Sequence, residues 1–123
     1  MIRTAICDDD PKAVQNHKEI MEACLRQWGK PGAITTYTAS KHLFYDITED
    51  HFFFDLILLD IEMPDSTGME IAEKIKPCLP NVKIIFITSH IEYAIDAFEL
   101  SVFRYVPKNT LETRLPAAIR DAV

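Results

Sequence analysis

Apolar positions along this chain follow two alternating patterns. Short, nearly unbroken runs at residues 2–7, 56–59 and 82–87, a β-branched stretch at 33–38 and a last run at 102–106 predict strands. The run Leu56-Ile57-Leu58-Leu59 has no polar alternation, so that strand is expected to be covered on both faces. Between the runs the spacing becomes helical: Val14, Ile20, Met21, Cys24, Leu25 and Trp28, then Leu43, Phe44 and Ile47, then a segment from Gly68 to about Lys76. Ile91, Ala94, Ile95 and Phe98, opposed by Glu92, Asp96 and Glu99, predict a fourth helix, and residues 111–122 a fifth. Asp10 and Pro11 suit the N-cap and first turn of the first helix, "GKPG" at 29–32 stops it, and Pro77 and Pro80 end the third. Strand then helix, repeated five times, predicts an α/β fold: a parallel sheet with right-handed crossovers and helices on both faces.

Function in such sheets gathers at the carboxyl ends of the strands, near the point where strand order reverses. The order 2-1-3-4-5 is adopted by analogy with flavodoxin-like sheets. With the strand ends side by side, Asp8 and Asp9 come from the first strand, Asp60 from the third, Thr88 from the fourth and Lys108 from just past the fifth. Three carboxylates about 5 Å apart repel by roughly 3 kcal/mol per pair at an effective dielectric of about 20. Such a cluster needs a cation, and an all-oxygen set without histidine or cysteine suits Mg²⁺ or Mn²⁺ better than zinc. Phosphoryl transfer uses the same parts: the metal and Lys108 to neutralise charge, the Thr88 hydroxyl to donate a hydrogen bond, and Asp60 as nucleophile. Taken singly, Asp60 reads as a turn or N-cap, Asp8 to Asp10 as a solvated acidic turn and Lys108 as a surface lysine. Their shared edge favours the site.

Composition narrows the picture. At 123 residues, 48% hydrophobic and 26% charged, the chain reads as one domain, 1–123, able to bury its own core. A net charge of -6 works against nucleic-acid binding. No apolar run is long enough to suggest a membrane span and the start carries no signal-peptide pattern, so a cytoplasmic protein is expected. Cys7, Cys24 and Cys78 form no C-x-x-C pair and are expected to be incidental thiols.

The motifs "ICDDDP", "DLILLDIEMPDSTG", "IIFITS" and "FRYVPK" resemble, in order and spacing, those of the two-component response regulator receiver domain, over essentially the whole chain. The resemblance implies that Asp60 is the phosphoacceptor, that Asp8 and Asp9 hold Mg²⁺ (Asp9 directly, Asp8 largely through water), and that Glu62 lends its backbone carbonyl to the metal. It makes Thr88 the phosphate-sensing hydroxyl, Lys108 the family's lysine and Tyr105 the aromatic that reorients with Thr88. Glu62 and His90 match positions that vary phosphate lifetime; His17, His42 and His51 match no functional position and are expected to be solvated or partly packed. The implied partner is a sensor histidine kinase, and a second receiver would pair through the fourth helix, fifth strand and fifth helix. Of the aromatics near that surface, Tyr93, Phe98 and Phe103, core packing is the favoured role. The chain is then a signalling switch rather than an enzyme, with no chemistry beyond its own phosphorylation and dephosphorylation.

"HIEYAIDAFELSVFRYVPK" is similar to a narrower branch, the receivers that precede LytTR-type DNA-binding domains, including accessory gene regulator proteins. That implies a role in transcription regulation, either as the receiver part of a longer regulator or as a stand-alone protein. The family usually has proline after its lysine, often with a cis bond, whereas here Pro107 precedes Lys108 and Asn109 follows it. A non-proline cis bond costs roughly 3 kcal/mol, so a trans peptide and a shifted loop are expected. Two rivals remain. A haloacid-dehalogenase-type phosphatase shares the D-x-D within Asp8-Asp9-Asp10, but Lys12 stands where it has Thr or Val. A flavodoxin-like carrier would need a Ser/Thr/Gly loop after the first strand, where this chain has acids.

Overall fold

The computed structural model describes residues 1–64, 67–89 and 103–123. Strand β1 (Ile2–Cys7) leads into helix α1 (Pro11–Gln27), β2 (Gly32–Tyr37) into α2 (Ser40–Thr48), and β3 (Leu56–Leu59) into α3 (Gly68–Cys78). β4 (Lys83–Thr88) and β5 (Arg104–Pro107) follow, then a 3₁₀ turn at Lys108–Thr110 and a C-terminal helix at Leu111–Ala122. The five strands are all parallel, in the order β2-β1-β3-β4-β5. The order adopted by analogy is the one observed.

Pleating divides the core in two. Ala5, Cys7, Ile57, Leu59, Ile84 and Phe86 face one way and pack with Leu43 and Ile47 of α2 and Ile71 and Ile75 of α3. Ile6, Leu56, Leu58, Ile85, Ile87 and Val106 face the other, against Val14, Met21 and Leu25 of α1 and Leu115 and Ile119 of the C-terminal helix. Helices on both faces explain why β3 can be apolar throughout; all four of its residues are buried.

Helix α1 starts as its sequence dictates: Pro11 occupies the first turn and the Asp10 carboxylate accepts the Lys12 N–H at 3.0 Å. It ends at Trp28, with Gly29 turning the chain at φ 64°. Several expectations shift. β2 begins one residue earlier than predicted, and β5 runs from Arg104 to Pro107 rather than from 102 to 106. Pro77 does not end α3; it sits in the last turn, where it forgoes the bond to the Glu73 carbonyl, and the helix closes with Leu79 N–H on the Ile75 carbonyl at 2.9 Å. His42 and His51 are exposed, but His17 is 3% exposed, because its position three after Val14 and four before Met21 places it on the core stripe of α1. Cys7 and Cys24 are buried and Cys78 exposed, none of them in a disulfide. Phe103 is half-buried against the α1-side core, whereas Tyr93, Phe98, His90 and the predicted fourth helix lie outside the described residues.

Candidate functional site at the carboxyl edge of the sheet

Register brings the two principal acids together. Cys7 pairs with Leu59 across β1 and β3, so the next residues, Asp8 and Asp60, leave neighbouring strands at the same level. The Asp60 N–H donates to the Cys7 carbonyl at 3.0 Å and the Asp8 N–H to the Tyr37 carbonyl at 3.1 Å, so the backbone of both is held by the sheet. Asp8 is fully buried, Asp60 6% exposed and Asp9 open to solvent. One carboxylate oxygen from each of the three lies within 4.8 Å of the other two.

Lys108 completes the cluster from the far side. Its Nζ lies 2.9 Å from Asp8 Oδ2 and 3.6 Å from Asp60 Oδ2. No described peptide bond is cis, and Lys108 reaches both acids from the 3₁₀ turn without a proline after it. Burial is the largest influence on the Lys108 ammonium and lowers its pKa, but the Asp8 hydrogen bond and the Asp60 and Asp8 charges together outweigh it, and the net shift is upward. Asp60 is pushed up to about 6, by burial first and by the Asp8 charge second; Asp9 adds to this, while Lys108 and the Glu62 backbone N–H work against it.

The remaining predicted residues surround this core. The Glu62 side chain is exposed, and Glu62, Asp9, Met63, Pro64 and Thr67 line a cleft beside the acids. Thr88 is buried at the end of β4, opposite Pro107, and shares a second cleft with Lys108, Ser89 and Arg114. Register places Ile87, not Thr88, level with Asp60, so Thr88 stands one residue further out. Pleating puts Thr88 on the same face as Phe86, whose neighbour on β5 is Tyr105, half-buried against the α2 and α3 side.

Hydrophobic spacing passes over two further contributors. Thr67 caps α3 by accepting the Glu70 N–H at 3.2 Å, and Thr67-Gly68-Met69-Glu70 is a capping-box pattern legible in the sequence. Gly68 lies so close behind the site that a Cβ there would collide with the Asp60 carbonyl and sit 2.9 Å from the Ile61 Cα; its own N–H donates to the Ile61 carbonyl at 2.6 Å. Asp10 is the cap expected from the sequence, and its N–H donates to Asp8 Oδ1 at 2.9 Å.

Residues 4–120 match the family model described as "Response regulator receiver domain". The chain belongs to that family. Receiver domains are parts of two-component response regulators, signalling proteins that interact with histidine kinases, and no enzyme family is indicated for this one. The phosphatase and flavin-carrier rivals find no support. Among curated proteins, the receiver domain is 45% identical to the transcriptional regulatory protein NatR of Bacillus subtilis over 52% of this chain and 28% of NatR. It is 39% identical to the sensory transduction protein LytR of Staphylococcus epidermidis over 54% of this chain and 26% of LytR, in keeping with the LytTR-type branch. The matched stretches thus span little more than a quarter of either relative. Among solved structures, TrrA of Thermotoga maritima, crystallised with Mg²⁺-BeF, is 27% identical with a TM-score of 0.77, each chain covering 100% of the other. Among the described residues no helix is long and apolar enough to cross a membrane.

Proposed function

We propose that Asp60 accepts a phosphoryl group from the phosphohistidine of a sensor kinase and that the modified receiver domain changes a partner-binding surface. An Asp60 carboxylate oxygen forms the new O–P bond as the donor's N–P bond breaks, and the bonding pair leaves with the imidazole nitrogen. The observation that carries this reading is the convergence of Asp8, Asp9, Asp60 and Lys108 at one rim of the sheet.

The donor set fits a hard divalent cation: three carboxylates, no soft ligand, and one oxygen from each within 4.8 Å of the others. Asp8, Asp9, Asp60 and the Glu62 carbonyl would hold Mg²⁺, with Mn²⁺ a substitute; TrrA, solved with Mg²⁺-BeF, supports the choice. When bound, the ion supplies charge neutralisation for Asp60 and for the incoming phosphoryl oxygens. Lys108 is placed to take up charge on the phosphoryl group, and the Thr88 hydroxyl to donate to one of its oxygens. Drawing Thr88 inward frees space on its face of the sheet for Tyr105, the route by which the surface of β5 and the C-terminal helix would change and pair with a second receiver. In a longer cytoplasmic regulator, as NatR and LytR suggest, the output would be transcription through an attached DNA-binding domain, the receiver itself making no nucleic-acid contact.

The test is incubation with acetyl phosphate and Mg²⁺, followed by intact mass. A single hydroxylamine-labile phosphoryl adduct is expected, absent from Asp60→Asn and from samples in excess EDTA. An adduct that survives Asp60→Asn would move the acceptor elsewhere and end this reading.

A further inference from the structure

Away from the acidic rim, the two edges of the sheet are built differently. β5 is four residues long and carries Arg104 and Pro107, features that discourage a further strand from pairing. β2 is six residues long, Gly32-Ala33-Ile34-Thr35-Thr36-Tyr37, with neither a charge nor a proline. Its ladder to β1 includes the Ile2 N–H on the Pro31 carbonyl at 3.0 Å and the Asp8 N–H on the Tyr37 carbonyl at 3.1 Å, so the odd-numbered residues of β2 face β1. By alternation, Gly32, Ile34 and Thr36 direct both N–H and C=O away from the sheet. Among the described residues no strand pairs with that side. Gly32 and Thr36 are exposed and Ile34 is half-buried.

Beside this edge runs a groove lined by Lys18, Glu22 and Arg26 of α1 with Lys30 and Ile34. Lys18, Glu22 and Arg26 are four residues apart and form one stripe of the helix. Three cations thus stand against one carboxylate, in a chain whose net charge is -6. None of the three is in an ion pair among the described residues. An open strand edge alone is a liability, and loose lysines alone are a solvated face. Here one wall offers unpaired backbone groups and the other offers positive charge.

We propose that the β2 edge and the Lys18/Arg26/Lys30 stripe form a slot for an acidic, extended segment of a protein partner, which joins the sheet as an added strand. The outward groups of Gly32, Ile34 and Thr36 supply backbone hydrogen bonds, the cations select carboxylates at the positions facing α1, and apolar side chains at the alternate positions lie on the opposite face of the sheet. A second copy is a poor occupant, because edge-to-edge pairing would bring two cationic stripes together.

The probe is a labelled peptide alternating valine with glutamate, set against a control alternating valine with lysine. Binding is followed by fluorescence anisotropy, and exchange of the Gly32, Ile34 and Thr36 amide hydrogens by NMR. The glutamate peptide is expected to bind and to slow exchange at those three amides, and the lysine peptide to do neither. The exposed double variant Arg26→Glu/Lys30→Glu should weaken binding about tenfold or more. Thr36→Pro removes an outward N–H while leaving the β1 ladder intact; its melting curve reports folding, and it should abolish binding. No binding of the glutamate peptide, equal binding of both peptides, or binding without protection of the three amides would overturn the proposal. So would dimerisation of the chain through this edge, which would make a second copy the occupant.

Discussion

Replacing Asp60 by asparagine should stabilise the metal-free protein, an unusual direction for a change at a buried site. The folded protein holds the Asp60 proton more tightly than the unfolded chain does, with a pKa raised to about 6 from the ordinary carboxylate range. Stability attributable to this group is therefore complete below the unfolded pKa near 4 and is lost as pH rises through about 6. A displacement of about two pH units corresponds to about 3 kcal/mol; solvent at the rim and adjustment of Lys108 reduce this to about 2 kcal/mol. Asparagine keeps the shape and the acceptor for the Glu62 N–H but cannot ionise. In EDTA at neutral pH, Asp60→Asn should thus raise stability by about 2 kcal/mol, or Tm by about 8 °C for a domain of this size. Urea unfolding of both proteins across the pH range is the assay, and the difference between the two curves isolates Asp60 from the other titrating groups. That difference should vanish near pH 4 and grow through pH 6 to a plateau. Added Mg²⁺ should shrink it, since an ion bound to the wild type favours the folded state. An Asp60→Asn protein no more stable than wild type at neutral pH, or a difference independent of pH, refutes the electrostatic account of the site.

Other substitutions test the neighbouring contacts. Lys108→Met strips the buried Asp8 carboxylate of its ammonium partner at 2.9 Å and should cost about 2 to 3 kcal/mol in urea unfolding at neutral pH. Gly68→Ala sets a methyl against the Asp60 carbonyl and should destabilise by more than the roughly 1 kcal/mol that alanine contributes in a helix, so a lower Tm is expected despite the better helix former. Thr4 carries a fully buried hydroxyl with no hydrogen-bond partner among the described residues, and Thr4→Val should raise stability by about 1 kcal/mol in the same measurement.

What could be read from the sequence was whatever repeats or punctuates. The LILL run of β3, the Asp10-Pro11 start of α1 and residues 111–122 of the last helix reappear as expected because each rests on local chemistry. His17 shows where local reasoning conflicts with itself: the helical period places it in the core while its polarity suggests solvent, and the packing of α1 against the sheet decides for the core. Strand register could not be read at all. Level strand ends would suffice to gather the acids, yet it is the pairing of Cys7 with Leu59 that sets Asp8 beside Asp60, and the pairing of Leu59 with Phe86 that leaves Thr88 a residue further out.

Within the cluster, the three carboxylates are not equivalent, and the difference argues for which of them reacts. Asp8 is buried but well supplied, taking the Lys108 ammonium at 2.9 Å on one oxygen and the Asp10 N–H at 2.9 Å on the other. Asp9 is exposed and can rely on water. Asp60 is nearly as buried as Asp8 yet has Lys108 only at 3.6 Å and a backbone N–H from Glu62, so its charge is the least compensated of the three. A bound cation would relieve Asp60 most. The sheet therefore concentrates its unmet electrostatic demand on one oxygen-bearing group at the rim, and under the proposed phosphoryl transfer that group, rather than either neighbour, would gain from meeting an electrophilic phosphorus with a divalent ion in place.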